Sequence, residues 1–208
     1  MSTMNPSRLG RPVDADRRAA RRRQIINGAR GVFARKGFHA ASTAEISAEA
    51  GVSGANLYQY FATKDDLIMS LIEENLAGDL ALIESLNDAK SLKRGIMSLG
   101  KALFETPPDR QSHALRLEIL AESFRQEAVA ATLRRAEIRM IDTLGAVIGK
   151  AQVSGEVPDE ISTRQAAATI IACVDGFISR IAFTPISAEA QLAGFVMLIT
   201  AALRLQQS

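Results

Sequence analysis

Apolar residues recur at helical spacing along most of this chain, and no stretch alternates apolar and polar residues long enough to predict a strand. In the first such segment, Ala29 and Phe33 fall on one face of a helix with either Ile25 or Ile26. Gly37, preceded by two basic residues, is a typical stop for that helix. The pattern therefore predicts a first helix over residues 17–36.

Two shorter helices are predicted directly after the first. Ser42 and Glu45 have the spacing of a capping box, in which each side chain accepts a hydrogen bond from the other residue's backbone N–H. This second helix should end at Gly51. Ser53 is a good N-cap for a third helix that runs to Phe61. The two helices are thus joined by a turn of very few residues.

The remainder of the chain is predicted to be helical as well. Thr63 and Asp66 form a second pair with capping-box spacing at the start of a fourth helix. Later helices are separated at Pro107, Pro108 and Pro185, because proline lacks the N–H that a helix needs. The sequence predicts an all-α fold of about nine helices. After the third, these are residues 63–86, 90–105, 112–125, 127–153, 163–183 and 188–205.

Residues 42–64 combine the features of a helix-turn-helix. The small side chain of Ser47 lets the second and third helices approach closely, and Ile46 and Leu57 lie where two crossed helices touch. In this motif the second of the two helices, here residues 53–61, enters the major groove of DNA. The pattern therefore indicates a DNA-binding domain near the N-terminus.

The charge distribution also favours a polyanionic partner at one end of the chain. Residues 1–64 carry a net charge of +7 and the remainder carries −5. Residues 1–16, with Gly10 and Pro12, are predicted to form a flexible basic arm. Two interpretations of the basic stretch stay open: it reaches into the minor groove, or it is a solvated tail. Its arginines are Arg8, Arg11, Arg17, Arg18, Arg21, Arg22 and Arg23.

The side chains on and around the third helix divide into two predicted sets of DNA contacts. Hydroxyl groups and a lysine suit phosphates. Asn and Gln suit adenine, and alanine suits the thymine methyl group. The predicted phosphate contacts are Thr43, Tyr58, Tyr60 and Lys64, and the predicted base contacts are Gly54, Ala55, Asn56 and Gln59, with Ser53 at the start of the helix.

Several separated elements of residues 25–71 agree with one known pattern. They are Ile26–Ala29, Val32–Phe38, Thr43, Ile46, Ala50–Ser53, Leu57, Tyr58, Tyr60, Phe61 and Lys64–Leu67. In these residues the segment resembles the DNA-binding domain of the TetR family of bacterial regulators. The resemblance implies a helix-turn-helix domain over residues 17–63 and an effector-binding and dimerisation domain over residues 64–208. It also implies that a small molecule alters the spacing of two recognition helices.

Three positions depart from the family's pattern. Ser47 stands where the family often has alanine, and Gly54-Ala55 stands where it often has Lys-Gly. Gln59 occupies a position that is commonly aromatic or histidine. The third helix therefore lacks one phosphate-binding lysine, and its base preference has to come from its own side chains.

The last two helices carry apolar stripes that allow two interpretations. Both stripes face the core of one chain, or they form a four-helix seam with a second copy. The resemblance favours the seam, and we therefore predict a homodimer. The seam residues would be Ile170, Val174, Phe177, Ile181, Leu192, Phe195, Val196, Ile199 and Leu203.

A ligand pocket is harder to locate from the pattern. Candidate lining residues are Met97, Phe104, His113, Leu117, Phe124, Ile141 and Phe177. Polar groups on otherwise apolar helices are His113, Glu118, Glu122 and Asp175. Each of these residues also fits an ordinary place in the core or on the surface.

The chemistry of an enzyme is not evident in the sequence. Cys173 is the only cysteine, and His39 and His113 fall in different predicted domains, outside any metal-binding pattern. No cofactor is expected, and no apolar run reaches the roughly 18 residues that span a bilayer. We therefore predict a cytoplasmic, homodimeric repressor. It should bind a pseudo-palindromic operator in double-stranded DNA and be released by a small-molecule effector of unknown identity. A regulator without a ligand, or with a protein partner, remains the alternative.

Overall fold

The computed structural model of the chain describes residues 12–104, 110–180 and 185–205. Within these ranges the structure is helical and contains no strand, so the predicted all-α fold is confirmed. A single 3₁₀ turn, Ser85–Asp88, follows the fourth helix. The helices of the described part are α1 Pro12–Ala40, α2 Thr43–Glu49, α3 Gly54–Tyr60, α4 Lys64–Glu84, α5 Leu92–Phe104, α6 Arg110–Ser123, α7 Glu127–Val153, α8 Thr163–Arg180 and α9 Ala188–Ala202.

The chain divides into two compact units. The first ends at Ile68 and the second begins at Met69. The sequence places the boundary at the start of α4, between residues 63 and 64, whereas the division falls inside that helix. A helix that continues through a boundary leaves no break in the hydrophobic pattern, so the sequence alone could not indicate it.

Helix α1 is longer than its pattern predicts. It begins at Pro12, a residue that suits the first turn of a helix because its missing N–H would have no partner there. Part of the predicted flexible arm is therefore helical, while residues 1–11 lie outside the described residues. At the other end, Gly37 has a φ of 77° and interrupts the helical geometry before Ala40. The glycine stop is thus a kink within α1.

The first unit is built on the contact between α1 and α2. Ile25 and Ile26 are completely buried, and the rings of Phe33 and Phe38 meet edge to face with centroids 5.0 Å apart. Gly28 allows the closest approach, because a Cβ built there would lie 2.8 Å from the Cβ of Ala50. The packing therefore fixes α2 at one place on α1.

An aromatic cluster lies in the core of the second unit. The rings of Phe104, Phe177 and Phe195 contact one another, with centroids 5.5–6.0 Å apart. Helices α5 and α9 approach closely at Gly100, where an added Cβ would lie 2.6 Å from the Cδ1 atom of Leu192. Helix α5 therefore packs directly against α9 at this point.

This core corrects the predicted dimer seam. Five of the predicted seam residues are buried against the chain's own helices, so they are not available to a second copy. They are Ile170, Leu192, Phe195, Ile199 and Leu203. Val174, Phe177 and Val196 are half-buried against the same core, and Ile181 lies outside the described residues. The sequence could not separate the two interpretations of the stripe, because α9 is apolar on nearly every side and its pattern does not indicate which face is inward.

The outward face of α9 is also apolar. Met197 is 68% exposed and Leu198 is 40% exposed, and Glu189 is the only charged residue of the helix. None of the described helices has the length and hydropathy that crossing a bilayer requires.

Candidate DNA-binding and ligand-binding sites

Both short helices of the first unit begin with the caps that the sequence predicts. The Ser42 hydroxyl accepts a hydrogen bond from the Glu45 backbone N–H at 3.2 Å, and the Glu45 carboxylate accepts one from the Ser42 backbone N–H at 3.1 Å. The Ser53 hydroxyl accepts a bond from the backbone N–H of Asn56 at 3.1 Å. These bonds set the first residues of α2 and α3, because each satisfies an N–H that has no partner within the helix.

The turn between α2 and α3 has one conformation that favours glycine. Gly51 has a φ of 64°, in the left-handed region, and the backbone N–H of Val52 donates to the Ser47 carbonyl at 2.9 Å. Behind the turn, Ile46 and Leu57 are completely buried. The turn and the buried pair together hold α3 against α2 and leave its other face outward.

The outward face of α3 carries the predicted base contacts. Gly54, Ala55 and Gln59 are exposed, and Asn56 is half-buried. The Asn56 side-chain amide donates to the Gln59 side-chain oxygen at 3.2 Å. A Cβ added at Gly54 would meet nothing within 4 Å. Two linked amides beside an unobstructed stretch of backbone can approach base edges closely.

Hydroxyl groups flank this face. Tyr58 is 53% exposed, and its hydroxyl lies 3.1 Å from that of Thr43 at the start of α2. Tyr60, the last residue of α3, is half-buried. The structure therefore brings the predicted contacts Thr43 and Tyr58 together, although fifteen residues separate them in sequence.

Lys64 has a different place from the one that its sequence position indicates. Its ammonium group donates to the backbone carbonyls of Phe38, His39 and Ala41 at 3.0, 3.4 and 3.1 Å. An ammonium group has three N–H donors. All three donors have partners within the protein, so Lys64 holds the end of α1 and the loop that leads to α2.

The arginines at the start of α1 lie beside α3, which the sequence did not predict. The Arg18 guanidinium lies 5.9 Å from the ring centroid of Tyr60, and that of Arg22 lies 5.2 Å from that of Phe61. A surface groove runs between the two helices. We call it the arginine groove, and it is lined by Ala15, Arg17, Arg18, Ala20, Arg21, Gln24, Asn56, Gln59 and Tyr60. Arg8 and Arg11 lie outside the described residues.

The second unit contains two adjoining cavities, of about 240 Å³ and about 820 Å³. Of the predicted pocket residues, His113 lines both, and Leu117 and Phe124 line the larger cavity. The other four line neither cavity: Met97, Phe104, Ile141 and Phe177. The rings of Phe104 and Phe177 instead pack against each other in the aromatic cluster.

A group of charged side chains lies where the two cavities adjoin. The Arg116 guanidinium donates to the Asp79 carboxylate at 2.8 Å and to the Asp175 carboxylate at 2.7 Å. Burial raises the pKa of Asp79, and Arg116 opposes that effect. Burial also raises the pKa of Glu137, and the neighbouring negative charge of Asp175 adds to the rise. This charged group lines the larger cavity and is absent from the pocket residues that the sequence predicted.

In the sequence Asp175 stands out as a polar residue on an apolar helix, but Asp79, Arg116 and Glu137 carry no such signal. The partners of Arg116 lie 37 and 59 residues away along the chain. Glu122, another polar residue on an apolar helix, is buried and accepts hydrogen bonds from Arg125 and Gln126. It therefore stabilises the end of α6 and does not line the cavities.

Both units of the chain match known protein families. Residues 25–71 match the family described as "Bacterial regulatory proteins, tetR family", and residues 94–203 match "BetI-type transcriptional repressor, C-terminal". The HTH-type transcriptional regulator UidR of Escherichia coli (strain K12) is 29% identical over 176 residues, which cover 83% of this chain and 87% of UidR.

Two solved structures with the same fold contain ligands. A regulator from Saccharomonospora viridis in complex with choline is 21% identical, with a TM-score of 0.76 over 91% of this chain and 100% of that one. FadR from Bacillus subtilis in complex with stearoyl-CoA is 20% identical, with a TM-score of 0.72 over 86% and 98%. The fold, the helix-turn-helix and the similarity to known regulators all lead to the same conclusion. This chain belongs to the TetR family of DNA-binding transcriptional regulators.

Proposed function

We propose that this regulator is a homodimeric repressor that binds a pseudo-palindromic operator and is released when a small molecule occupies the larger cavity. The observation that carries the proposal is the outward face of α3, which is capped at Ser53 and unobstructed at Gly54. A helix held in this way is the part of a helix-turn-helix that enters the major groove, and two copies read half-sites about one DNA turn apart.

Asn56 and Gln59 are proposed as the residues that read bases. Their amides suit adenine, and the methyl group of Ala55 suits thymine. Gly54 lets the start of α3 approach the bases, because nothing occupies the space beside its Cα. A site rich in A·T pairs is therefore expected near the centre of each half-site.

Thr43, Tyr58 and Tyr60 are proposed as phosphate contacts, since hydroxyl groups position a protein on DNA without reading its sequence. We assign Lys64 a positioning role instead, because its three donors bind backbone carbonyls at the end of α1 and in the loop before α2. The loop that it holds leads directly to Thr43 at the start of α2. Loss of Lys64 would then misplace the phosphate contact at Thr43.

The arginine groove supplies the positive charge that α3 lacks. Arg17, Arg18 and Arg21 are exposed on a helical segment beside Gln59, so their guanidinium groups lie next to the base-reading face. We infer that they bind phosphates flanking the major groove, rather than reaching into the minor groove as an extended arm would. This assignment accounts for affinity in a recognition helix with no lysine or arginine of its own.

For the dimer we propose the outward faces of α8 and α9 in place of the buried stripes. A helix that is apolar all round is usually buried on all sides. In the single chain, however, Met197 and Leu198 of α9 are exposed. On α8, Ala172 and Gly176 are exposed and small, which allows a second copy to approach closely. The seam is therefore expected on faces that the single chain leaves open.

Selection of bound fragments from the source genome at moderate salt tests the proposed function. A pseudo-palindromic site should be enriched with the parent protein, and Gln59→Ala should change the preferred bases. Tyr58→Phe should weaken binding to all sequences alike, because it removes a phosphate contact. Val153→Ala, at an exposed residue of the second unit, is the control and should leave both properties unchanged. A folded protein that enriches no site would contradict the proposal.

A further inference from the structure

We propose that the larger cavity binds an amphiphilic organic cation, whose positive group lies beside Glu137 and Asp175 and whose apolar part covers the hydrophobic wall of α6 and α7. This inference rests on the proposed function only in placing the effector in that cavity. It adds the chemical class of the effector, which the known ligands of the fold do not decide, since choline is a cation and stearoyl-CoA an anion.

The apolar part of the ligand is inferred from hydrophobic side chains of the cavity wall that are exposed to solvent. Four large hydrophobic residues of the cavity wall are exposed: Leu117 at 45%, Leu120 at 52%, Phe124 at 87% and Ile138 at 51%. A contiguous exposed apolar patch is unusual on a protein without a binding partner for it. A ligand with a hydrocarbon or aromatic body would remove this surface from water.

The positive charge of the ligand is inferred from the acidic and basic side chains that line the larger cavity. Four acidic residues and two arginines line the larger cavity, and His113 is its other titratable side chain. One arginine, Arg134, pairs with Glu127. The other, Arg116, pairs with both Asp79 and Asp175. Negative charge is thus in excess around the cavity.

Glu137 is the one acidic residue of this lining that pairs with neither arginine. Among the described residues, no hydrogen bond or ion pair of its carboxylate is found, and the side chain is half-buried beside Asp175. Of these two neighbouring carboxylates, only Asp175 is bonded to Arg116. A further positive charge beside Glu137 is therefore favoured, because it relieves the repulsion between the two carboxylates. A quaternary or primary ammonium group of a ligand would provide that charge.

An anionic ligand fits the same lining poorly. Arg116 is the basic residue best placed to bind it, yet its guanidinium already makes bonds of 2.7 to 3.3 Å to two carboxylates. An incoming carboxylate or phosphate would have to break those bonds and lie beside Asp79, Asp175 and Glu137. The lining therefore selects against negative charge as well as for positive charge.

Matched probes test the sign of the charge. Isothermal titration of the full-length protein would compare decyltrimethylammonium with decanoate, which share a ten-carbon chain and differ in charge, both below micelle formation. The ammonium probe should bind at least about 10-fold more tightly. Glu137→Gln should reduce its affinity by about 10-fold while leaving decanoate binding unchanged or stronger. Glu84→Gln, an exposed residue of α4 outside both cavities, should change neither value.

Equal or tighter binding of decanoate would overturn the inference, as would no binding of the ammonium probe or an unchanged affinity in Glu137→Gln. Sedimentation with the same probes tests whether a second copy covers the apolar wall instead. Dissociation of a dimer by the Phe124→Glu variant, with no probe bound to the parent protein, would overturn the inference in favour of that arrangement.

Selection of bound DNA fragments tests the proposed DNA-binding function separately from the ligand class. If a DNA site is enriched but the ammonium probe does not bind, the ligand class is wrong and the DNA-binding function stands. If the probe binds with the expected preference but does not release the selected DNA, the ligand class is supported. The failure then lies in the release step of the proposed function.

Discussion

Glu45 connects the N-terminus of α2 to the end of α1. Its carboxylate accepts bonds from the backbone N–H and hydroxyl of Ser42, and it pairs with the ammonium group of Lys36. The bond from Lys36 and the two bonds from Ser42 lower the pKa of Glu45 from 4.5 to about 2. One side chain thus joins the capping box to an ion pair between two helices.

A pH dependence of stability follows from this pKa. Because the folded-state pKa lies below the ordinary value, the carboxylate stabilises the fold above pH 4.5, and this contribution is lost as the pH falls toward about 2. Glu45→Gln keeps the capping geometry but loses the charge. We expect its melting temperature to lie below that of the parent protein at neutral pH, and the gap to close in acid. A gap that is constant with pH would contradict the role of the charge.

Ser47 is the residue at which this chain departs from the family in its core. Its side-chain oxygen is buried and has no hydrogen-bond partner among the described residues. Ser47→Ala should therefore stabilise the protein by about 1 kcal/mol, since a buried hydroxyl without a partner costs free energy and alanine also favours a helix.

Ser42→Ala is the matched comparison, because it removes a serine of the same helix whose hydroxyl does cap it. It should destabilise the protein by about 1 kcal/mol. Chemical denaturation of both variants gives the two free energies of unfolding. Destabilisation by Ser47→Ala would mean that its hydroxyl has a bonding role.

Among elements, α1 contributes to the candidate DNA interface as well as to the core. Its buried face holds Ile25 and Ile26, and its exposed N-terminal segment lines the arginine groove beside α3. The helix is predictable from its apolar spacing, but its extension to Pro12 is not, since residues 12–22 contain almost no large apolar side chain.

The arginine groove predicts the salt dependence of DNA binding. Arg17→Gln and Arg21→Gln should each reduce the slope of the logarithm of affinity against the logarithm of salt by about 0.9, the value for one phosphate contact. The preferred sequence should not change, because phosphate contacts carry no base information. Arg164→Gln, an exposed arginine of α8, should leave the slope unaltered. A changed preference with an unchanged slope would favour base contacts by these arginines.

At the scale of the whole molecule, the proposed dimer depends on which face of α9 is exposed. The predicted seam used the stripe that the single chain buries, and the revised seam uses the opposite face, with Met197 and Leu198. We therefore still predict a homodimer, but with different residues at its interface.

Sedimentation tests this revised seam. The parent protein should sediment at twice its chain mass of 22.4 kDa. Met197→Glu should shift it toward the monomer, because a charge would be buried without a partner in the seam. Val153→Glu places the same charge on a residue that is 93% exposed, near the end of α7, and should remain dimeric. A dimeric Met197→Glu variant would place the interface elsewhere.

The sequence by itself determined the class of fold, the helix-turn-helix and its caps. These features depend on local spacing: Ser42 with Glu45, Ser53 with Asn56, and Gly51 at the turn are all within a few residues of one another. Local hydrogen bonds and apolar periodicity can be predicted from residues that are close together in the sequence.

Only the tertiary structure decided which face of α9 is inward, where the ammonium group of Lys64 lies, and which charges line the larger cavity. Each of these depends on residues brought together from distant parts of the chain, such as Arg116 with Asp79 and Asp175. A side chain's sequence position gives its type and its helix, but its partners follow from how the helices pack. For that reason the DNA-binding motif was predictable, whereas the side chains whose charge we propose selects its effector were not.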